Sequence, residues 1–366
     1  MNKASLVIAL VLFSGVAKAT PIDKDFSLNL NNYYGYTHYS LPKPRIYKNN
    51  NFNSSLDLYG RITYNINHKY KASLIGYIMA DTSKEIENYN QGYWGEEFFG
   101  LIETPIGDIV VGQDYNVAYN FSVGAPSIGS YKVNNSYLTN FIINPNWYKK
   151  DSKMLYKTLN STYINTDGSS LKINYITPEY KGVKLGFSYI PQTYAQNGLI
   201  SKKTPYKDNS AYVLGLNGFW KILGYEVETS LGYAQFDKVD KEMSVGINVY
   251  RKGWTIGGSY KKTKPTGHFE INKETCFDGY RDGQSYNLGI SYNIGPFTTG
   301  FGYFNSKSNK YKNKDEIFSF SNSYQYNKNT AFSLTVAHQK SVDEETTKGN
   351  AVVLGLEFSL WKKYVL

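Results

Sequence analysis

Residues 286–292, with the sequence YNLGISY, alternate strictly between large apolar side chains and small or polar ones. Successive side chains of a β-strand point to opposite faces, so this segment has one apolar face and one polar face. The same two-residue period recurs in 183–189 (VKLGFSY), 225–233 (YEVETSLGY) and 243–249 (MSVGINV). The pattern predicts two-faced β-strands rather than helices.

Sixteen such segments of about 9–13 residues fill the chain beyond residue 20. They lie near 26–39, 55–66, 70–80, 93–104, 107–117, 169–178, 182–191, 210–221, 224–236, 241–250, 253–262, 284–294, 296–306, 315–326, 328–338 and 350–361. Short connections at 67–69, 105–106, 179–181, 222–223, 251–252, 295 and 327 alternate with longer ones rich in Asn, Lys and Ser. Outer-membrane barrels have this arrangement, with short periplasmic turns and long external loops. We therefore predict an all-β fold, a transmembrane antiparallel β-barrel of about 16 strands.

The composition of the chain excludes several other classes. Its 366 residues have a mean hydropathy of −0.46, too low for a bundle of helices that each need roughly 18–20 apolar residues. The single cysteine excludes a disulfide framework, and Cys276 receives no predicted role. The 36 Tyr, 19 Phe and 5 Trp argue against disorder. A soluble β-sandwich is the main alternative, but its inner faces would be apolar, whereas sixteen strands closed into a barrel leave an aqueous channel.

The first residues have the layout of a secretory signal. Lys3 precedes the apolar stretch 4–13, and 17–19 (AKA) offers small residues for cleavage. We predict a signal peptide at 1–19 and one barrel domain at 20–366; the alternative is a buried N-terminal helix. Cleavage would remove two lysines and change the formal charge from +10 to +8.

Three stretches resemble the general porins of Gram-negative bacteria. They are 57–61 (DLYGR), the strand–turn–strand segment from 98–101 (FFGL) to Gly112 and Gln113, and the hairpin from Asn174 to Gly182. The resemblance implies a homotrimeric, water-filled channel in the outer membrane, whose third external loop folds into the lumen. Segment 118–168 is the longest connection, and long loops in compact folds are usually functional. We predict that it forms the constriction.

The sequence departs from this family at several points. Ser127 follows Pro126 where the family often has an acidic residue, and no Asp or Glu occurs between residues 118 and 150. Gln113 stands at the family's arginine position, although Arg61 is present. The family usually ends on an aromatic residue; here either Trp361 ends the last strand, or a divergent assembly signal ends at Leu366. The predicted pore and constriction residues are Arg61, Gln113, Pro126, Ser127, Lys132, Lys149, Lys150, Lys153, Lys157, Lys172, Lys184, Glu226 and Glu228.

The predicted function is passive diffusion of ions and small hydrophilic solutes. Lysines in the lumen would produce a weak anion preference; the alternative is a lumen without net bias. Loop lysines would meet outer-membrane lipid and lipopolysaccharide, and no motif points to nucleic acid. A different alternative is a surface adhesin that acts through its external loops.

No enzymatic site, metal or cofactor is predicted. The chain has four histidines, none at metal-ligand spacing. His38 and His338 lie at the outer ends of strands that barrel closure would bring near each other, and two interfacial histidines are the simpler interpretation.

Overall fold

The computed structural model describes residues 22–40, 50–81, 92–126, 128–129, 161–168, 170–192, 210–237, 240–265, 282–309, 314–342 and 346–365. The predicted signal peptide at 1–19 lies outside these residues and stays a prediction. No helix in the described ranges is long and apolar enough to cross a membrane.

Sixteen antiparallel strands close into one barrel, in which each strand pairs with its neighbours in sequence and β1 pairs with β16. The predicted fold is therefore confirmed. The strands are β1 Ile22–Ser40, β2 Asn50–Asn65, β3 Lys71–Asp81, β4 Gly92–Thr104, β5 Gly107–Gln113, β6 Leu171–Ile176, β7 Val183–Ile190, β8 Ala211–Ile222, β9 Tyr225–Phe236, β10 Asp240–Arg251, β11 Trp254–Pro265, β12 Gly283–Ile294, β13 Phe297–Ser308, β14 Lys314–Asn327, β15 Thr330–Val342 and β16 Thr346–Val365. A short helix, α1 (Val117–Asn120), follows β5.

The outer face of the barrel is apolar and exposed. In β7 to β10, large side chains at every second position are between 40% and 59% exposed. They are Leu185, Phe187, Tyr212, Leu214, Leu231, Met243, Val245 and Ile247. An apolar band of this kind matches the hydrocarbon core of a bilayer.

Aromatic pairs lie on the outer face beside the short turns. The rings of Trp254 and Tyr292 are 4.5 Å apart between centroids, and those of Phe297 and Tyr324 are 4.8 Å apart. Aromatic side chains at this level form the girdles of membrane barrels at the lipid–water boundary. Aromatic side chains thus lie on the outer face at the turn end of these strands.

Strand β16 is longer than predicted, because its pairing with β1 continues to Val365 opposite Asp23. Trp361 therefore does not end the strand, and residues 362–365 are part of the barrel wall.

Strands β5 and β6 are shorter than predicted, with 7 and 6 residues. Gly112 has φ +143°, a backbone conformation that side-chain-bearing residues rarely adopt. Immediately after it the chain leaves the sheet at Gln113 and enters α1, so the predicted strand 107–117 ends four residues early.

Candidate functional site

The segment that follows β5 lies against the inside of the barrel. Asn116 caps α1, since its side chain accepts a hydrogen bond from the backbone N–H of Tyr119 at 2.9 Å. The backbone N–H of Val117 donates to Ser188 Oγ of β7 at 2.9 Å. Ser188 alternates with the exposed Phe187, so this contact identifies the polar face of the strand as the inner one.

The same segment continues along the wall to β12. The backbone N–H of Val123 donates to Ser230 Oγ of β9 at 3.0 Å, and that of Ala125 donates to Asn287 Oδ1 of β12 at 2.9 Å. Two backbone groups that would otherwise lie buried without partners are thereby satisfied by wall side chains. The loop is consequently attached at intervals across half of the barrel.

The returning segment, 161–168, is fastened to β11 and β12. Ser285 Oγ donates to the carbonyl oxygen of Ser161 at 2.8 Å, and Asn287 Nδ2 donates to Thr162 Oγ1 at 2.9 Å. Lys261 Nζ donates to the carbonyl oxygen of Tyr163 at 2.7 Å. Asn287 therefore holds both the outgoing and the returning parts of the loop.

Two buried ion pairs secure the loop. Lys172 Nζ lies 2.9 Å from Asp167 Oδ2, and both side chains are 0% exposed. Lys172 also donates to the carbonyl oxygens of Gly168 and Asp114. Lys261 Nζ lies 2.9 Å from Glu242 Oε2, and Glu242 also accepts from Thr166 Oγ1. Removing one partner of a buried pair strands a charge and costs about 3–5 kcal/mol, so the Lys172–Asp167 pair opposes release of the loop. The Lys261–Glu242 pair joins two wall strands and holds the loop through hydrogen bonds to Tyr163 and Thr166.

Asp114 begins the loop and is buried. Burial raises the pKa of its carboxyl group, while the nearby Lys172 and three hydrogen bonds lower it. Those bonds come from the backbone N–H of Tyr115 at 2.7 Å, and from Asn174 Nδ2 at 3.1 Å and Asn120 Nδ2 at 3.5 Å. The loop therefore starts from a carboxylate held by three donors.

Apolar contacts complete the attachment at two places. Val117, Ala118 and Ile164 of the loop form one buried cluster with five inner-face residues of β7, β8 and β9: Ile190, Ala211, Val213, Ala234 and Phe236. Ala125 joins a second buried cluster with inner-face residues of β1 and β13 to β16: Tyr33, Phe304, Ile317, Ala337, Ala351 and Val353. The loop thus covers two apolar patches of the inner face.

Close approach of the loop requires a glycine on the wall. At Gly246 of β10, a Cβ atom would lie only 1.9 Å from the carbonyl oxygen of Val123. The small residues on the polar face of the sequence pattern therefore make room for the loop backbone.

Two of the predicted pore residues carry charges that are each paired with a carboxylate. Arg61 NH2 lies 2.8 Å from Glu103 Oε2 and donates to Ser73 Oγ at 3.0 Å. Lys184 Nζ lies 3.7 Å from Glu179 Oε2, and both groups are exposed. These pairs place positive charge on β2 and β7 without bringing the two cations together.

The two predicted acidic residues share the inner face of β9. Glu226 Oε1 lies 2.8 Å from Lys221 Nζ, and Glu228 Oε2 accepts from the Tyr250 hydroxyl at 2.9 Å. Both side chains point to the same face of β9 as Ser230, two and four residues further along the strand, whose hydroxyl accepts a hydrogen bond from the loop backbone.

The remaining predictions have mixed outcomes. Gln113 pairs in register with Phe98 and Leu171, which are exposed on the apolar face, but its own side chain is buried, with 9% exposed. Pro126 approaches Gly289 of β12. The other predicted residues lie outside the described residues: Ser127, Lys132, Lys149, Lys150, Lys153 and Lys157.

The histidines that closure brings near each other are separated by an asparagine. His338 and His38 both pair in register with Asn350 of β16, and His338 Nδ1 lies 2.7 Å from Asn350 Oδ1. Within the described ranges, no group of three or more His, Cys, Asp or Glu side chains could hold a metal ion.

Sequence reasoning missed the residues that anchor the loop: Asp114, Asn116, Asp167, Glu242, Lys261 and Asn287. One feature of the sequence nevertheless pointed to a loop against the inner wall: residues 211–214 (AYVL), at the start of β8, are apolar on both faces of the strand. A strand that is apolar on both faces is covered on both, which indicates a covering element inside the barrel.

A closed barrel with an apolar outer face, a polar inner face and an inward-folded loop defines an outer-membrane β-barrel protein. The sequence model of the Gram-negative porins matches residues 4–344. The chain therefore belongs to the Gram-negative porin family and is located in the outer membrane.

Solved porin structures share the fold at low sequence identity. The Salmonella typhi OmpF complex with daunomycin superposes with a TM-score of 0.62 at 12% identity, covering 92% of this chain and 97% of that one. An anion-selective porin from Comamonas acidovorans gives 0.57 at 14% identity, with 93% and 100% covered. The trimer form of the Vibrio cholerae outer-membrane protein OmpT gives 0.59 at 11% identity, with 93% and 99% covered. No curated protein matches the sequence.

Proposed function

We propose that this porin is a passive diffusion channel for ions and small hydrophilic solutes, and not an enzyme. The observation that carries the proposal is a closed sixteen-strand barrel with polar side chains on its inner face. Barrels of this strand number enclose an aqueous channel rather than a packed core. Stepwise conductance of the purified protein in planar bilayers tests the proposal and also separates it from the adhesin alternative, which requires no open pore.

We further propose that segment 118–168 narrows the channel. The attachments of residues 114–129 and 161–168 to the inner wall support this role. A loop fixed on one side of the lumen reduces the open cross-section next to the opposite strands. Deleting part of 131–160 should raise the single-channel conductance.

A homotrimer is the proposed assembly. Its support is the resemblance to porins and the trimer form of the Vibrio cholerae relative. The exposed apolar face of β1, which includes Phe26, Leu30 and Tyr34, must be covered by lipid or by another subunit. Native mass spectrometry in detergent measures the subunit number directly.

Lipopolysaccharide is the proposed lipid partner. At the long-loop end of β10 to β16, seven lysines occupy outer-face register positions just beyond the apolar band, with one carboxylate, Glu316, among them. The lysines are Lys241, Lys262, Lys264, Lys307, Lys314, Lys340 and Lys348. Clusters of cations at headgroup level attract anionic lipids, at about 1 kcal/mol per Lys near the surface. Replacing Lys262 and Lys340 with Gln should reduce the lipopolysaccharide that copurifies.

The weak anion preference expected from the sequence has little support in the described residues. Lys172 is buried in an ion pair, and Arg61 and Lys184 each face a carboxylate. The other lysines on which it depended lie outside the described residues.

A further inference from the structure

Three exposed lysines lie together on the outer face of β10 and β11, at the long-loop end. Lys241 of β10 stands directly opposite Lys264 of β11 in register, and Lys262 is the adjacent outward-facing residue of β11. Side chains directly opposite each other on one face of an antiparallel pair have Cβ atoms about 4.5–5.5 Å apart, and diagonal neighbours are about 7–8 Å apart. We call these three residues the lysine triad. Their ammonium groups, on flexible four-carbon stems, can reach one common point.

The protein does not neutralise the lysine triad. None of its three side chains forms an ion pair with a carboxylate in the described ranges. The neighbouring acidic residues of β10, Asp240 and Glu242, alternate with Lys241 and are buried on the inner side of the wall. Asp282, which precedes β12, accepts a hydrogen bond from Asn309 Nδ2 at 3.0 Å. Like charges directly opposite each other destabilise a sheet, so an anion bound from outside would relieve the repulsion.

The lysine triad is a local feature of the wall. In the same register row, β7, β8 and β9 carry the uncharged residues Tyr189, Tyr212 and Gln235. Positive charge in this row therefore begins at Lys241 and continues to Lys264. The chain concentrates cations on one part of the outer face instead of forming a uniform cationic rim.

Aromatic side chains mark the lipid boundary on the membrane side of the lysine triad. Tyr260 is the outward-facing residue two positions before Lys262, and it pairs in register with Tyr286 of β12. The rings of Tyr286 and Tyr303 lie 5.8 Å apart between centroids. Tyrosines are enriched at membrane–water interfaces, and the stems of lysines extend from such positions to the headgroups. The lysine triad is therefore placed at the level of lipid phosphates.

A second group of lysines on the outer face differs in one respect. Lys307 and Lys314 stand directly opposite each other on β13 and β14. Glu316 Oε1, however, lies 2.9 Å from Lys314 Nζ, and Glu316 pairs in register with Lys340. A carboxylate thus already lies among these lysines. In the described ranges the lysine triad has no such carboxylate, which makes it the stronger anion site of the two.

We propose that the lysine triad is the site at which the outer face binds lipopolysaccharide, through direct contact of its ammonium groups with a phosphate of the lipid. The inference rests on the proposed lipopolysaccharide partner; it adds the binding site, the chemical group recognised and independence from divalent cations. Lysine ammonium groups bind phosphate through charge-assisted hydrogen bonds. A site made of carboxylates would need Mg²⁺ or Ca²⁺ to hold a phosphate, whereas a site made of three lysines needs neither.

The test is titration of the purified protein in detergent with lipid A, the phosphorylated lipid anchor of lipopolysaccharide, in buffer containing EDTA. Native mass spectrometry measures the bound lipid. We expect the wild-type protein to bind lipid A, and the triple variant Lys241→Gln, Lys262→Gln, Lys264→Gln to bind it about tenfold more weakly or less. Lipid A without its phosphates should bind the wild type no better than intact lipid A binds the triple variant.

The matched control is a second triple variant, Lys69→Gln, Lys252→Gln, Lys328→Gln. It removes the same number of exposed lysines from three short turns at the opposite end of the barrel. Because the net charge changes equally in the two variants, only the loss of the lysine triad should weaken binding. The control should bind lipid A as the wild type does.

Unfolding measurements separate binding from folding. Without lipid, the variant that lacks the lysine triad should unfold at a denaturant concentration equal to or above that of the wild type, because like charges no longer face each other. Added lipid A should raise the midpoint of the wild type more than that of the variant, since a ligand that binds only the folded state stabilises it. A purely structural role for these lysines would give the opposite result without lipid.

The possible outcomes are distinguishable. Undiminished binding by the variant that lacks the lysine triad, or an equal loss in the control, overturns the assignment and leaves lipopolysaccharide as a partner. Equal binding of dephosphorylated lipid A, or wild-type binding that disappears in EDTA, overturns direct phosphate recognition. Complete displacement of lipid A by inorganic phosphate would identify a site for free phosphate instead. Wild-type protein that binds no lipid A, with or without Mg²⁺, contradicts the proposed partner itself.

Discussion

At the scale of single residues, the buried lysines are structural anchors of the loop. Lys172 was expected to contribute charge to the pore, yet its ammonium group lies between Asp167 and two backbone carbonyls with no exposed surface. A long side chain with a charged end is suited to this task because it reaches from the wall to several acceptors at once.

Replacing Lys172 with Met should destabilise the barrel by about 3–5 kcal/mol, because Asp167 would be left buried without its cation. The measurement is the denaturant midpoint of unfolding in detergent. Lys184→Met is the matched control. Lys184 Nζ lies 3.7 Å from Glu179 Oε2 and both side chains are exposed, and exposed ion pairs contribute about 0–1 kcal/mol. Equal effects of the two substitutions would contradict the anchoring role of Lys172.

Asp114 should make stability depend on acidic pH. Burial raises the pKa of its carboxyl group in the folded protein, so the folded state holds this proton at pH values where the unfolded chain has lost it. The contribution of this group to stability is therefore greatest below its unfolded pKa, and it falls as the pH rises through the folded pKa.

In Asp114→Asn that pH-dependent contribution should disappear. Unfolding midpoints measured at acidic and near-neutral pH should differ less in the variant than in the wild type. Unchanged pH dependence in the variant would show that other carboxylates control it.

At the scale of elements, the loop depends on the shape of the wall as well as on charge. Gly246→Val places side-chain atoms where the carbonyl oxygen of Val123 now lies. Overpacking of this kind costs about 1–3 kcal/mol, and since β9 and β10 are fixed by pairing, the loop should move towards the channel axis. We expect a lower unfolding midpoint and a lower single-channel conductance.

Gly100→Ala is the control for this substitution, because a Cβ there meets nothing nearer than 3.9 Å. It should change neither quantity. A Gly246→Val protein with wild-type conductance would mean that the loop does not line the conducting path.

The strands were predictable from sequence and the path of the loop was not. Alternation in 286–292 identifies β12 because lipid and water impose a two-residue period on the wall. The loop has no such period: its position depends on contacts between residues far apart in sequence, such as Val123 with Ser230 and Ala125 with Asn287. Those wall residues look like ordinary lumen residues until the loop is placed against them.

At the scale of the whole molecule, the polar average hydropathy and the high aromatic content are consequences of one architecture. Apolar side chains are turned outwards, polar ones inwards, and a loop occupies part of the interior. Lysines at the long-loop end of β10 to β16 also face outwards. Composition alone cannot report this separation, because it does not distinguish the two faces of a strand.

The folded barrel should migrate anomalously in SDS gels until it is boiled. Closure leaves no unpaired strand edge, so local unfolding offers detergent few points of entry. A protein that migrates identically before and after boiling would not have the closed sheet described above.

The central claim is that this barrel is an open diffusion channel narrowed by its inward-folded loop. Single-channel recording in planar bilayers tests it most directly. We predict discrete, stepwise conductance from the purified protein, and larger steps when part of 131–160 is deleted. A folded, heat-modifiable protein that produces no conductance steps in lipid would contradict the claim.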